Sequence, residues 1–113
     1  MGHVQSYDWT AHGDVRKEGG ARLSAVSENE LAAVAESRLV LILLPGGRGT
    51  HAELGAALAS RSAMPDKKIF IYCEDGSAFL PGEGTCAFYW AGGVRRFSGG
   101  IESVLGAIKE CFG

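Results

Sequence analysis

The stretch LVLILLPGGRGTHAELG, residues 39–55, decides the fold of this chain. Its first six residues are aliphatic, which predicts a strand of a parallel sheet that is covered on both faces. Pro45 ends the strand because a proline offers no N–H group to a neighbouring strand. Glycines at 46, 47 and 49 let other groups approach the backbone, and a helix is predicted from Thr50 to Ser60. Such a turn places free N–H groups at the carboxyl edge of a sheet, where open α/β sheets bind ligands.

Length and composition restrict the class of protein. With 113 residues the chain is expected to form one domain, 1–113. Hydrophobic residues make up 46% and charged residues 21%, which is typical of a globular protein. A net charge of −2 argues against a nucleic-acid polymer as partner. The six-residue aliphatic run is far shorter than the roughly 20 residues that cross a membrane.

The three cysteines, Cys73, Cys86 and Cys111, show no C-x-x-C spacing. This pattern supports neither a zinc site nor a disulfide framework. The chain also opens without a recognisable secretory signal. We therefore expect a cytoplasmic protein with reduced thiols.

The remaining sequence predicts strands that alternate with helices. Residues 2–10 read as a short strand and 11–26 as a loop. The capping-box pattern Ser27–Glu30 then predicts the start of a helix, whose apolar stripe comprises Leu31, Val34 and Ala35. Further strands are predicted at 69–73 and 94–97, with a glycine-rich loop at 74–85. A C-terminal helix follows, with an apolar face at Ile101, Val104, Leu105, Ile108 and Phe112. This alternation predicts an α/β fold: a parallel sheet flanked by helices in three layers, similar to flavodoxin and Rossmann folds.

Glu53 is the strongest candidate for chemistry, and its position has two interpretations. In the pattern Thr50-His51-Ala52-Glu53 the glutamate can bond the N–H group of a capping Thr50. Alternatively, its carboxylate lies beside a ligand at the sheet edge, as a nucleophile toward a sugar carbon or as an acid/base. Thr50 likewise reads either as a helix cap or as a hydroxyl that contacts a ligand.

The turn Gly46-Gly47-Arg48-Gly49-Thr50 is a candidate site for an anion or for sugar hydroxyls. It lacks the lysine and spacing of a Walker loop and the spacing of a dinucleotide fingerprint. Arg48 is positioned either to pair with a phosphate or to remain in solvent. Asp8 and Trp9 follow the first predicted strand and so border the same edge. Trp9 is placed either to stack on a base or to lie half-buried at the start of a loop.

The motif LPGGRGTHAELGAALA, residues 44–59, resembles the strand, turn and helix of the nucleoside 2-deoxyribosyltransferase family. That family carries a G-T-x-x-E-L-G-x-A pattern, in which the glutamate is the nucleophile. The segments YDWT (7–10), CAFY (86–89) and VRRF (94–97) resemble further parts of its short bacterial members. The likeness covers most of the chain in order.

The resemblance implies that Glu53 attacks C1′ of a nucleoside or nucleoside 5′-monophosphate and displaces the base. The glycosyl group then passes to another base or to water. Residues Gly46 to Thr50 would hold the sugar or its phosphate. No metal or organic cofactor is implied. Members of the family are usually homo-oligomers, so a homodimer is expected.

Two departures from the family stand out. Its members begin with a strand and helix ahead of the segment that YDWT resembles, so we expect a fragment or an N-terminally shortened protein. A missing strand exposes unpaired backbone groups, which favours dimerisation. Family members also carry aspartates around the helix before the central strand; here the best-matched positions hold Asn29 and Ser37, and Asn29 is a candidate substrate-binding residue.

Two other functions remain open. The lonely-guy type of cytokinin phosphoribohydrolase carries a similar P-G-G-x-G-T-x-x-E turn, which Pro45 to Glu53 fits equally well. Those proteins cleave the same bond in nucleoside 5′-monophosphates. A non-catalytic nucleotide-binding protein is the alternative from another class, and the substitution at Asn29 favours it.

Overall fold

The computed structural model describes residues 19–112. Three helices alternate with three strands along this part of the chain: α1 (Gly20–Glu36), β1 (Leu39–Leu44), α2 (Arg48–Ser60), β2 (Lys68–Cys73), β3 (Val94–Phe97) and α3 (Glu102–Phe112). Three short 3-10 turns, Arg61–Ala63, Ser77–Phe79 and Ala87–Trp90, complete the described elements. The predicted segment 2–10, with Asp8 and Trp9, lies outside the described residues.

The three strands form one parallel sheet in the order β1-β2-β3. Leu39 pairs with Lys68 and Leu44 with Cys73, so β1 and β2 end together. On the other side of β2, Ile69 pairs with Val94. The α/β class and the parallel sheet are therefore confirmed. Because the strands are parallel, the segments that leave them all emerge at one carboxyl edge.

Alternate residues of the strands face two apolar cores. The first core joins the sheet to α1, α2 and Tyr89; its strand residues are Val40, Ile42, Leu44, Ile69, Ile71, Cys73 and Val94. The second core joins Leu39, Phe70 and Tyr72 to α3. The six aliphatic residues of β1 alternate between these layers, although Leu43 remains 56% exposed.

The start of α1 corrects the predicted capping box. The helix begins at Gly20, so residues 20–26 are helical and Ser27 lies inside the helix. The Ser27 hydroxyl donates to the carbonyl oxygen of Ser24, 2.9 Å away, and caps nothing. The buried stripe is Val26, Ala33 and Val34. Leu31 and Ala35 are exposed, so their predicted burial is wrong, because α1 packs against α2 and the sheet through the neighbouring strip and the spacing of 31, 34 and 35 does not specify which strip is covered.

The other helices follow their predicted faces more closely. Leu54 and Ala57 of α2 are buried and Leu58 packs against the same core, as predicted. In α3, Val104 is buried while Ile108 and Phe112 pack at the edge of the second core. Ile101 and Leu105 are 42% and 56% exposed, so their predicted burial is wrong.

Lys67 fixes the end of α1 to the turn before β2. Although Lys67 is charged, it is only 7% exposed. Its Nζ donates to the carbonyl oxygens of Val34, Ala35 and Ser37 at 2.7, 3.3 and 2.5 Å. The last carbonyl groups of a helix lack helical partners, so the buried ammonium group satisfies them. The carbonyl oxygen of Val34 also accepts the backbone N–H of Ser37, at 3.4 Å.

Between residues 19 and 112, no helix combines the length and the apolar character needed to cross a membrane.

Candidate functional site at the carboxyl edge of the sheet

A cavity of about 600 Å³ opens at the carboxyl edge. The ends of β1 and β2 form its base, and the segments that follow them form its walls. Its lining comprises Leu44, Pro45, Gly46, His51, Cys73, Glu74, Asp75, Ser77, Ala78, Glu83, Gly84, Thr85, Cys86 and Tyr89. The volume lies within the range of small-molecule sites in proteins, and the position is where open parallel sheets bind ligands.

His51 and Tyr89 join opposite walls of this cavity. Nδ1 of His51 lies 2.8 Å from the carbonyl oxygen of Gly47, and Nε2 lies 2.6 Å from the hydroxyl of Tyr89. A carbonyl only accepts, so Nδ1 carries the proton, and in the neutral imidazole the tyrosine then donates to Nε2. Burial raises the pKa of Tyr89 above its ordinary value of 10, with smaller contributions from Cys86 and Cys73. The phenol therefore remains a donor at neutral pH.

Asp75 organises the wall that follows β2. Its Oδ1 accepts hydrogen bonds from the backbone N–H of Ser77 at 2.9 Å and from the thiol of Cys73 at 3.3 Å. These bonds, first of all those from Ser77, hold the pKa of Asp75 below its ordinary value of 3.8. The cavity thus contains a fixed negative charge. Cys73, Cys86 and Cys111 are free thiols, as predicted.

The glycine turn reaches the cavity at only one of its predicted residues. Gly46 lines the cavity, whereas Gly47, Arg48 and Gly49 are exposed at the start of α2 and Thr50 does not line it. Gly47 occupies the cap position and no side chain caps the helix. Thr50 was therefore wrongly interpreted as a cap, because the helix begins two residues before it. Its side chain instead packs against Gly46, where a Cβ would lie 2.6 Å from Thr50 Cγ2.

Glu53 lies outside the cavity lining, in the seam between α1 and α2. Burial, and secondly the negative charge of Glu30 on α1, raise the pKa of Glu53 from 4.5 to about 7. The capping interpretation of Glu53 is also wrong, because the cap is at Gly47 and a capping-box glutamate sits three residues after it. The carboxylate is therefore half-buried without that structural role. Asn29, a predicted substrate-binding residue, is exposed on α1 and does not line the cavity.

The structure adds residues that the sequence interpretation missed. Glu30 was assigned to a capping box, and only the packing of α1 on α2 reveals its proximity to Glu53. A second wall is formed by Cys73, the last residue of β2, with Asp75 and Ser77 from the segment that follows it. One signal was available for it, since all parallel strands end at the same edge and the residues after β2 had to meet those after β1.

The aromatic segment 88–90 divides between core and surface. Tyr89 is buried, whereas Phe88 and Trp90 are 61% and 51% exposed. The guanidinium group of Arg96 lies 4.2 Å from the centre of the Trp90 ring, and Trp90 Nε1 donates to Thr85 Oγ1 at 3.3 Å. Trp90 is thereby held against a residue of the cavity wall.

In the part of the chain that the structure covers, no group of three histidine, cysteine or acidic side chains is arranged to hold a metal ion. Comparisons with protein-family models, with curated proteins and with solved structures found no match to this chain.

Proposed function

We propose that the protein binds a nucleoside or nucleoside 5′-monophosphate at the carboxyl edge and acts on its N-glycosidic bond through Glu53. One observation carries this proposal. The Glu53 carboxylate is half-buried near the start of α2, it has no capping role, and its pKa lies near 7. A carboxyl group held in this way changes protonation state at neutral pH, which suits a group that takes part in a reaction.

The chemistry follows from the ionised form of Glu53. One carboxylate oxygen forms a bond to C1′ while the bond from C1′ to the base nitrogen breaks. The base leaves with the electron pair and takes a proton from solvent. Water or a second base then attacks C1′ of the glycosyl ester and regenerates the carboxylate. Glu30 adds a second negative charge near the positive charge that develops on the sugar ring.

The start of α2 provides the complementary contacts to the substrate. Its first N–H groups receive no side-chain cap, so they are available to sugar hydroxyls or to a 5′-phosphate. Arg48 is exposed at this point and can approach a phosphate. From Arg48 to Glu53 the helix rises about 7.5 Å. A nucleotide with its phosphate at the helix start can therefore present its sugar toward Glu53.

A second candidate is a nucleotide-binding protein without catalysis. The observation in its favour is that Glu53 does not line the cavity, whereas Gly46 does. In that case the ligand occupies the cavity and the α1–α2 seam has only a structural role. Nucleotide binding without base release distinguishes this candidate from a glycosidase or transferase.

The test is release of free base, followed by chromatography. The protein is incubated with nucleosides and with nucleoside 5′-monophosphates, each with and without a second base as acceptor. We expect release that is lost in Glu53→Gln and retained in Glu28→Gln, a matched loss of charge at an exposed position of α1. A strict requirement for the 5′-phosphate with no transfer favours a phosphoribohydrolase of the lonely-guy type. Binding without release from any substrate, in folded protein, rejects the catalytic proposal.

A further inference from the structure

We infer that the N-terminal segment, residues 2–10, docks as a fourth strand on the edge of β1 that lies away from β2. The strand runs parallel to β1, which thereby becomes an interior strand of the sheet. The inference goes beyond the proposed function and does not depend on it, because it assigns the occupant of a sheet edge and no reaction.

The edge of β1 is the first argument. Among residues 19–112, β1 pairs with β2 alone. Its six residues are all aliphatic, with none of the charges or prolines that protect edge strands from unwanted pairing. Leu43 is 56% exposed, whereas Leu39, on the same face of the strand, is 4% exposed. Such a strand is typical of the interior of a parallel sheet, so we expect an occupant on this edge.

The handedness of the connections gives a second, independent argument. Both α1 and α2 contribute to the first core, so they lie on the same face of the sheet. The connection through α2 crosses that face and leads from β1 to β2. Parallel strands joined through a helix are connected right-handedly in nearly all proteins, and right-handed connections across one face all proceed in the same direction. A strand joined to β1 through α1 therefore lies on the side of β1 away from β2.

The two ends of α1 indicate the direction of the docked strand. Lys67 lies just before β2 and binds the carbonyl oxygen of Val34, so α1 ends at the amino edge of the sheet. The 17 residues of α1 span about 26 Å, whereas a six-residue strand spans about 20 Å. The helix therefore begins at the carboxyl edge. A parallel strand ends at that edge, and the nine residues 11–19, which reach about 30 Å, are ample for the turn to α1.

The sequence of the N-terminal segment fits both faces of this position. In a strand, Tyr7 and Trp9 point to one face and Val4 to the other. One face of the docked strand lies beside the exposed Leu43. The other lies on the side of α1, which packs mainly against α2 and, of its described residues, contributes only Val34 to the first core. Both faces of the β1 edge thus gain apolar cover.

The short link favours this segment over a second copy of the chain. A flexible tether of nine residues gives an effective concentration in the millimolar range. A second copy that pairs β1 with β1 competes only at the concentration of the protein. The docked strand ends at the carboxyl edge, so Asp8 and Trp9 come to lie near Pro45, which lines the cavity.

Nuclear Overhauser effects in the full chain test the inference directly. We expect cross-peaks between backbone protons of residues 2–10 and those of Leu39–Leu44, in the pattern of parallel strands and within one molecule. A mixture of differently labelled chains separates contacts within one molecule from contacts between two. Cross-peaks from β1 to the β1 of a second copy, contacts of the N-terminal segment only between molecules, or no contact of the segment with β1 overturns the inference.

Two proline variants connect the docking to the protection of β1. Consecutive residues of a strand direct their N–H groups to opposite sides, so either Ser6→Pro or Tyr7→Pro removes a bond to β1. In that variant the β1 amides that point away from β2 should exchange with deuterium at least about fivefold faster. The amides of β2 should keep their protection, which shows that the fold persists. His12→Pro places the same residue in the link and should leave β1 unchanged. Unchanged exchange of β1 in both Ser6→Pro and Tyr7→Pro rejects the inference.

Discussion

The hydroxyl of Tyr89 donates a hydrogen bond to Nε2 of His51 across 2.6 Å, and this bond connects the 3-10 turn before β3 to the first turn of α2. The imidazole also donates from Nδ1 to Gly47. Both ring nitrogens are therefore engaged, which fixes the ring and one tautomer. This hydrogen-bonded pair holds the two walls of the cavity at a set distance.

Tyr89→Phe removes the donor to His51 while it keeps the buried ring. The free energy of unfolding should fall by about 1–2 kcal/mol, the cost of a lost buried hydrogen bond. In ¹⁵N spectra, the Nε2 signal of His51 should move because the phenol no longer donates to it. The other two histidines of the chain provide the reference signals. An unchanged His51 signal contradicts the assigned bond.

Glu53 makes stability depend on pH. Because its pKa is near 7 in the folded protein and near 4.5 in the unfolded chain, the folded state binds the proton more tightly. The stabilisation is complete below about pH 4.5 and disappears as the pH rises through 7. Glu53→Gln should therefore be more stable than the parent protein at pH 8, by about 1–2 kcal/mol once solvent screening of this half-exposed group is included. Urea unfolding at pH 5 and pH 8 measures the difference.

Glu30→Gln tests the second cause of that shift. Removal of the nearby negative charge should lower the pKa of Glu53, but burial should keep it above 4.5, since burial is the larger cause. A ¹³C titration of the Glu53 carboxyl carbon reports the value. Glu28→Gln removes an exposed charge from the same helix and serves as the control. If Glu53 titrates in Glu30→Gln as it does in the parent protein, Glu30 does not contribute to the pKa of Glu53.

Gly46→Ala should be costly because Thr50 occupies the space of the added methyl group. The new Cβ would lie 2.6 Å from Cγ2 of Thr50, and such overpacking typically costs about 1–3 kcal/mol. Gly49→Ala is the matched control, since a Cβ there has no neighbour within 4 Å and the residue lies inside α2 and not at its cap. Thermal and urea unfolding of the two variants measure the contrast. Equal stability would mean that the turn shifts freely around position 46.

Lys67→Met should destabilise the fold more than Lys68→Met does. The variant keeps an apolar stem but leaves the carbonyl oxygens of Val34, Ala35 and Ser37 without their charged donor. The expected loss is about 2–4 kcal/mol, from the lost bonds to a charged donor and from the carbonyl oxygens of Ala35 and Ser37, which lose it. Lys68→Met alters an exposed side chain on β2 and should change the stability by less than about 0.5 kcal/mol. Similar losses in both variants would argue against the buried cap.

The regular elements were predictable where an apolar pattern marks them. The aliphatic run of β1 and the strands at 68–73 and 94–97 follow from local sequence. The start of α1 does not follow from local sequence. Ser27 and Glu30 have the spacing of a capping box, but the same spacing also occurs inside a helix. Which face of α1 is covered depends on its packing against α2, which local spacing does not specify, and that packing brings Glu30 near Glu53.

The candidate site was predictable only in part, for a related reason. Glycine-rich turns after strands indicate the correct edge of the sheet, and Gly46 does line the cavity. The wall from Cys73 to Cys86 carries no motif, and its place depends on how segments distant in the sequence pack together. The separation of Glu53 from the cavity depends on the direction in which α2 presents each side chain. Spacing within the motif does not specify that direction.

The position of β2 has a consequence for amide hydrogen exchange. This strand pairs with β1 on one side and β3 on the other, and Ile69 to Cys73 are all buried. Its amide hydrogens should therefore exchange with deuterium last, through global unfolding alone, while the segment around Glu83 exchanges through small local openings. Cys73, at the base of the cavity, thus belongs to the most protected element, and a wall can open to admit a ligand while that base remains in place.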